Sequence, residues 1–556
     1  MAKQTMEIQV RGMTCDNCRR HIKGSLSAVD GISDIRIPDW HNGQMFLVID
    51  ANVDNETVTE SVRAAGYSRD VIGRRDITPQ RAPSSSRSAE NYDLIVIGTG
   101  AGGMAAAIRG AELGGRVAIV EGGTLGGTCV NIGCVPSKTL IRAAAAFHTA
   151  GHSNFAGLKM SADGADWKTI VSEKDSLVSD LRQAKYAGVL EAYADDISVF
   201  HSWASFTPEA RVALDDGRQL RGANIVIATG ARPATLPLPG ILDVPVLTST
   251  SLMALDHQPT SLVIIGGRAV APELGQMLAR LGTQVTILQR SSTLIPDHEP
   301  EVAAGLIEAL RAEGLEIHTE VTPIALQLVD GFKEVVADVA GERRLFRAEA
   351  ILMAVGRRPN VERLNLDTVG VDVDTRGFVK VNARQETTHS HIHAAGDVTN
   401  GPKLVYVAAA AGGIAAANAL TQPGSTLDLR VLPEVIFTDP NVARVGLTER
   451  AAQDAGHATK TSLLPLSYVP RAIAARNTIG LIKLVADQAT DKLLGAQILA
   501  AEGGEVIQSA ALALRFGATV ADLRASLFPY LTQVEGLKLA AQVFEKDVTQ
   551  LSCCAG

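Results

Sequence analysis

The stretch "YDLIVIGTGAGGMAAAIRGAELGGRVAIVEGG", residues 92–123, decides the fold of most of this 556-residue chain. Leu94 to Ile97 form an unbroken apolar run of the kind that makes a strand buried on both faces, and glycines stop it. An alanine-rich segment with helical spacing follows, and Val117 to Val120 give a second buried strand that ends in an acid, Glu121. Gly98, Gly100 and Gly103 stand in the spacing GxGxxG, with Gly102 beside them, and Glu121 lies 23 residues after Gly98. Glycines in this spacing let a backbone approach a pyrophosphate at a helix N-terminus, and an acid at this distance reaches a ribose hydroxyl. The glycines alone would say little. In a β-turn-α-β setting with the acid in place, they predict a dinucleotide-binding half.

A second such unit is read in "SLVIIGGRAVAPELGQMLARLGTQVTILQR", residues 261–290. Gly266 and Gly267 supply the turn, but Arg268 stands where another glycine is expected, and Pro272 falls in the first helical turn, where proline is tolerated. The second strand ends in Gln289 and Arg290 rather than an acid. A missing carboxylate and a nearby cation favour the 2'-phosphate of NADP(H) over NAD, although Arg290 is also readable as a plain surface arginine.

Length and composition fit this reading. A chain this long exceeds one core and is expected to form three or four domains. Its net charge of -8 leaves no basic footprint for nucleic acid. Fifty-one glycines and 46% hydrophobic residues suit an α/β enzyme with many strand-to-helix turns. The N-terminus has no continuous apolar region, and the most apolar stretch, Leu404 to Leu420, is a glycine-broken alanine run too short for a bilayer. No membrane insertion and a cytoplasmic location are expected.

Residues 3–72 read as a separate small unit of order β-α-β-β-α-β, the ferredoxin-like pattern. "GMTCDNC" lies between its first strand and helix, placing Cys15 and Cys18 at a helix N-terminus, where the dipole favours thiolates. Two soft ligands without a second pair or His-x-His suit linear Hg(II) or Cu(I) better than tetrahedral zinc, while a thioredoxin-like redox pair is the other reading of CxxC. The Arg-, Ser- and Pro-containing stretch 73–90 reads as a flexible linker that tethers this unit.

All six cysteines fall in close pairs: Cys15/Cys18, Cys129/Cys134 and Cys553/Cys554. A vicinal pair two residues from the carboxyl end would be a poor staple on a mobile tail. Three pairs with none left over point to thiol chemistry.

Two resemblances follow. Gly12 to Cys18 matches the GMTCxxC motif of the heavy-metal-associated domain, with Gly66-Tyr67 where that family often has an aromatic near the metal loop. "GGTCVNIGCVPSK", residues 126–138, resembles the active-site segment of the flavin-dependent pyridine nucleotide-disulfide oxidoreductases, as do "IVIATGARP", "LMAVGRRPN" and "IHAAGDV" farther on. The second resemblance covers residues 91–550. It implies bound FAD, contacted by Gly127, Thr128, Thr229, Gly230, Gly356 and Asp397, and NADPH at the second unit. It also implies that Cys129 meets substrate, that Cys134 touches the flavin, and that Lys138 lies near flavin N5 paired with Glu273. A homodimer is implied through a C-terminal interface domain.

The chain departs from that family's disulfide reductases at their C-terminal histidine. Its last histidine is His457, and "LFPYLTQVEG" puts Tyr530 in the histidine's place with Glu535 in that of its glutamate partner. A phenol with a pKa near 10 is a poor shuttle for a leaving thiol at neutral pH. A substrate that leaves no thiol does not need one. With Tyr186, the vicinal tail and the N-terminal unit, the resemblance narrows to metal-reducing members: Hg(II) would be passed between cysteine pairs and reduced to Hg(0). The tail of one subunit would serve the other's site, and a mercury transporter is one conceivable source of thiol-bound Hg(II). Alternatives left open are a dihydrolipoamide dehydrogenase-type disulfide reductase fused to a metal-binding domain, and a metal-scavenging protein.

The expected architecture is α/β: two Rossmann-type dinucleotide-binding domains and an α+β C-terminal interface domain, preceded by the small βαββαβ domain. The boundaries are 1–72 for the metal-binding domain, 73–90 for the linker, 91–240 and 366–430 for the two parts of the FAD domain, and 241–365 for the NADPH domain. The interface domain is 431–550 and the dithiol tail 551–556.

Overall fold

The structure, a computed structural model, describes residues 3–11, 22, 25–39, 44–50, 52–65, 67–76 and 91–551. Its contacts divide the chain into two units, Met1–Ala89 and Glu90–Gly556.

In the N-terminal unit the strand Lys3–Arg11 lies between Gln44–Asp50 and Ser68–Asp76, and Ile32–Asp39 flanks Gln44–Asp50 on the far side. Alternation along the first strand buries Met6 and Ile8 beneath Ile22, Leu26, Val58 and Val62 from the helical side. The helix Asn55–Ala64 starts where Asp54 accepts the Thr57 N–H at 2.7 Å. The four strands and the second helix follow the order expected for them. The last strand is longer than its sequence suggested: Gly73 pairs with Glu7 and Asp76 with Gln4, so the first residues of the stretch read as linker are sheet. Ladder bonds to a strand that begins as early as Lys3 outweigh the missing apolar alternation there. The loop holding Cys15 and Cys18 lies outside the described residues, as do residues 77–90.

In the larger unit the opening β-turn-α-β forms as read. Strands Ile197–His201, Val117–Glu121, Asn91–Ile97 and Gln219–Ile227 make a parallel array. Ile392–Ala394, nearly 170 residues later in the chain, adds in parallel with Ile225 opposite Ile392. Glu316–His318, Gln284–Leu288, Ser261–Ile265 and Ala350–Met353 form a second parallel sheet, beside a three-stranded antiparallel meander over residues 321–348. The chain ends in a five-stranded antiparallel sheet with the helices Gly503–Arg515 and Glu535–Gln542 packed into its core.

The apolar run Leu404 to Leu420 becomes the helix Val405–Thr421, packed on Ala101–Glu112. The two backbones approach so closely that a Cβ at Gly412 would lie 2.0 Å from the Gly102 carbonyl oxygen. Gly102, expected among the cofactor contacts, thus faces a neighbouring helix, and its lack of a side chain serves packing. Among the described residues no helix is long and apolar enough to cross a membrane.

Candidate active site

Two left-handed glycines, Gly126 at φ 96° and Gly127 at φ 62°, turn the chain after Glu121 into the short helix Gly127–Ile132. A Cβ at Gly127 would fall 2.7 Å from Gly100 Cα, so this segment is pressed against the dinucleotide turn. The Gly126 N–H donates to Thr99 Oγ1 at 2.9 Å. A break at Gly133 then starts the helix Cys134–Gly151 at the second cysteine.

The break brings both thiols together. Cys134 is drawn down to about 7, first by a hydrogen bond from Cys129 and further by the Lys138 charge, against burial and Glu273. Cys129 is pushed up by holding the shared proton and by burial. The pair is therefore poised as Cys129 thiol and Cys134 thiolate, and a metal binding both sulfurs must displace the Cys129 proton. Both cysteines are free.

Lys138 lies one helical turn after Cys134. Its Nζ is 2.7 Å from Glu273 Oε2, and Glu273 is buried in the first turn of Val270–Arg280, the helix of the second dinucleotide unit. The other carboxylate oxygen, Oε1, accepts the Phe437 N–H at 2.8 Å, and the Phe437 ring centroid is 4.6 Å from Lys138 Nζ.

Tyr186 sits in a single π-turn, Gln183–Ala187, inside a longer helical run. Such turns reposition one side chain, and they are frequent at functional sites. Here the ring lies against Gly126, and burial, then the charges of Cys129 and Cys134, push its hydroxyl up and keep it neutral. Tyr530 and Glu535 are elsewhere, on the C-terminal domain. Tyr530 is 59% exposed, and the buried Glu535 accepts the Leu531 N–H at 3.1 Å. Cys553 and Cys554 lie outside the described residues.

The residues at the first turn fit FAD. Gly98 and Gly103 are required by backbone, since a Cβ at Gly103 would be 1.9 Å from the Gly98 oxygen, whereas Gly100 faces open space. Glu121 accepts from the Thr99 N–H at 3.0 Å and the Gly123 N–H at 2.7 Å, and retains a lone pair for a ribose hydroxyl. It lines a cavity of about 440 Å³ with Gly122, Gly123, Trp203 and Asp215. Asp397, raised by burial, is 3.4 Å from Arg357. Thr229 and Asn360 exchange two hydrogen bonds, of 2.7 and 2.9 Å, where the chain crosses between the two parallel domains, and Gly230 and Gly356 turn there with positive φ. Thr128 lies in the redox helix itself.

The second turn fits a pyridine nucleotide. A Cβ at Gly266 would be 2.3 Å from the Ala354 oxygen, and one at Gly267 would be 2.9 Å from the buried Gln289 side chain. Arg290 is exposed, two residues after the strand Gln284–Leu288.

Sequence reasoning missed Phe437 and the contacts beside it. On the helix Val270–Arg280, Gln276 accepts the Asp439 N–H at 2.8 Å and Arg280 reaches Asp439 at 3.0 Å. The i, i+3, i+7 spacing of Glu273, Gln276 and Arg280 was the available signal: three polar residues on one face of a mostly apolar helix.

Family models match as pyridine nucleotide-disulphide oxidoreductase over residues 92–412, its dimerisation domain over 432–541, and a heavy-metal-associated domain over 7–68. A mercuric reductase of Staphylococcus aureus is 42% identical over 557 residues, covering 100% of both chains. One from Streptomyces lividans is 44% identical over 84% of this chain and 98% of its own length. The solved HOCl-induced flavoprotein disulfide reductase RclA from Escherichia coli superposes with a TM-score of 0.73 at 29% identity, over 81% of this chain and 100% of that one. With a dithiol held between two dinucleotide folds, a C-terminal dimerisation domain and relatives matched from end to end, the chain belongs to the pyridine nucleotide-disulphide oxidoreductases, within their mercuric reductase family.

Proposed function

We propose that this protein uses NADPH to reduce thiol-bound Hg(II) to Hg(0) at Cys129 and Cys134. The observation that carries the reading is the site's proton inventory. The dithiol shares one proton, its nearest phenol, Tyr186, is held neutral, and a tyrosine stands where a disulfide reductase keeps its acid/base histidine. In the net reaction, Hg(SR)2, NADPH and one proton give Hg(0), NADP+ and two thiols. The two sulfurs grip the metal, and Hg(0) leaves because it has no remaining affinity for thiolate.

When bound, FAD would supply the electron-pair transfer from nicotinamide to the Hg(II) held by the two sulfurs. Gly98, Gly100, Gly103, Glu121 and Asp397 would hold it, and Gly266, Gly267 and Arg290 would hold NADPH. Lys138, fixed by Glu273, keeps a positive charge beside the Cys134 thiolate. Cys15/Cys18 and Cys553/Cys554 act as relays, because Hg(II) moves by exchange of one thiolate for another. The tail serves the partner subunit's dithiol in a homodimer. Such thiols need a reducing compartment, which supports a cytoplasmic location.

The test is NADPH oxidation by the purified protein with Hg(II) plus excess thiol, beside oxidised glutathione and lipoamide. Metal-dependent turnover with little disulfide reduction is expected; the opposite preference would favour the disulfide reductase reading.

A further inference from the structure

The Lys138–Glu273 ion pair leaves part of each partner unaccounted for. Glu273 uses only Oε2 on Lys138, and the ammonium retains directions that the carboxylate does not fill. One residue answers both. The Phe437 backbone N–H donates to Glu273 Oε1 at 2.8 Å, and the Phe437 ring lies 4.6 Å from Lys138 Nζ. Phe437 belongs to neither dinucleotide unit. It follows the strand Glu434–Ile436 that opens the dimerisation domain. Asp439, two residues on, is clamped by Gln276 and Arg280 from the same helix as Glu273, so the Phe437 backbone has little freedom.

We propose that Phe437 is a positioning residue of the redox site: its N–H orients Glu273 and its ring holds the Lys138 ammonium toward Cys134. Lys138 is about one-third exposed and sits on a flexible stem. Without the ring, its charge is free to swing toward water while keeping its bond to Glu273. A cation over an aromatic face resists that swing. The dimerisation domain thereby helps set the charge state of a thiol on another domain. This rests on Cys134 being the flavin-side thiolate, as read above.

The groups facing Cys134 are Cys129, Lys138, Glu273 and Arg357, with Tyr186 close to the pair. The experiment uses the flavin-loaded dimer reduced by two electrons and follows the thiolate-to-flavin charge-transfer absorbance against pH. Phe437→Leu keeps the backbone N–H and removes the aromatic face, and Phe437→Tyr restores it. The leucine variant is expected to raise the midpoint by on the order of half a pH unit. The tyrosine variant should return it to the wild-type value. In a Lys138→Met background the leucine substitution should add nothing, an outcome that a merely structural role would not give. Phe437→Met serves in place of leucine should that variant fail to dimerise.

An unmoved midpoint in Phe437→Leu overturns the proposal, and so does a shift that persists without Lys138. A wild-type protein that shows no such absorbance at any pH overturns the assignment of Cys134 instead, and with it the proposal.

Discussion

Gly126 and Tyr186 share one small space beside the redox cysteines: a Cβ at Gly126 would stand 3.3 Å from Tyr186 Cγ and 2.7 Å from Val130 Cγ1. The glycine also holds φ at 96°, which side chains rarely adopt. Gly126→Ala is therefore expected to lose about 1–3 kcal/mol of stability and to displace the Tyr186 ring. Urea unfolding and mercury-dependent NADPH oxidation measure the two effects. Tyr186→Phe keeps the ring and should unfold like wild type while turning over Hg(II) more slowly. An unchanged rate in that variant would limit Tyr186 to packing.

His298 is expected to shape the acid side of the stability profile. Among the described residues its Nδ1 is buried without a hydrogen-bond partner, and burial, assisted by Arg444, lowers it to about 4. Between its ordinary value near 6.5 and about 4, the unfolded chain binds a proton that the folded chain does not. Stability therefore falls as pH drops through that window, by up to about 3 kcal/mol. His298→Gln should flatten this part of the profile in urea melts at pH 7, 6, 5 and 4. Parallel wild-type and variant profiles would show that other groups control the acid limb.

Both dinucleotide turns were legible because their chemistry is local: the glycines, the following helix and the terminal acid lie within some thirty residues. The parallel addition of Ile392–Ala394 to the first sheet was legible only through resemblance, since nothing in three residues announces a partner so distant in sequence. Glu121 was read for its ribose contact, and the reading left out that its carboxylate also ties down the Thr99 and Gly123 N–H groups. The Phe437 contact was illegible for a similar reason. It joins a backbone N–H, a carboxylate and a ring from three separate segments, and only tertiary packing brings them together.

The small N-terminal unit is expected to be dispensable when mercury arrives on small thiols. It has its own buried core, and its contacts separate it from Glu90–Gly556. Deleting residues 1–90 should leave turnover near wild type at high thiol concentration. A truncated protein that binds NADPH normally yet fails to turn over under those conditions would place Cys15 and Cys18 on the obligatory path.

The last prediction concerns which tail serves which dithiol. Tyr530 and Glu535 lie on the dimerisation domain, about twenty residues before Cys553/Cys554 in the chain. The proposed function has the tail of one subunit serve the partner's dithiol across a two-fold dimer. Consider a heterodimer in which one subunit lacks Cys553/Cys554 and the other lacks Cys129/Cys134, each homodimer being inactive on chelated Hg(II). Delivery between subunits leaves one complete site, built from the intact dithiol of the first and the intact tail of the second, so roughly half of wild-type activity per dimer is expected. Delivery within a subunit leaves no complete site. An inactive heterodimer, with NADPH binding and dimerisation intact, would refute transfer across the interface.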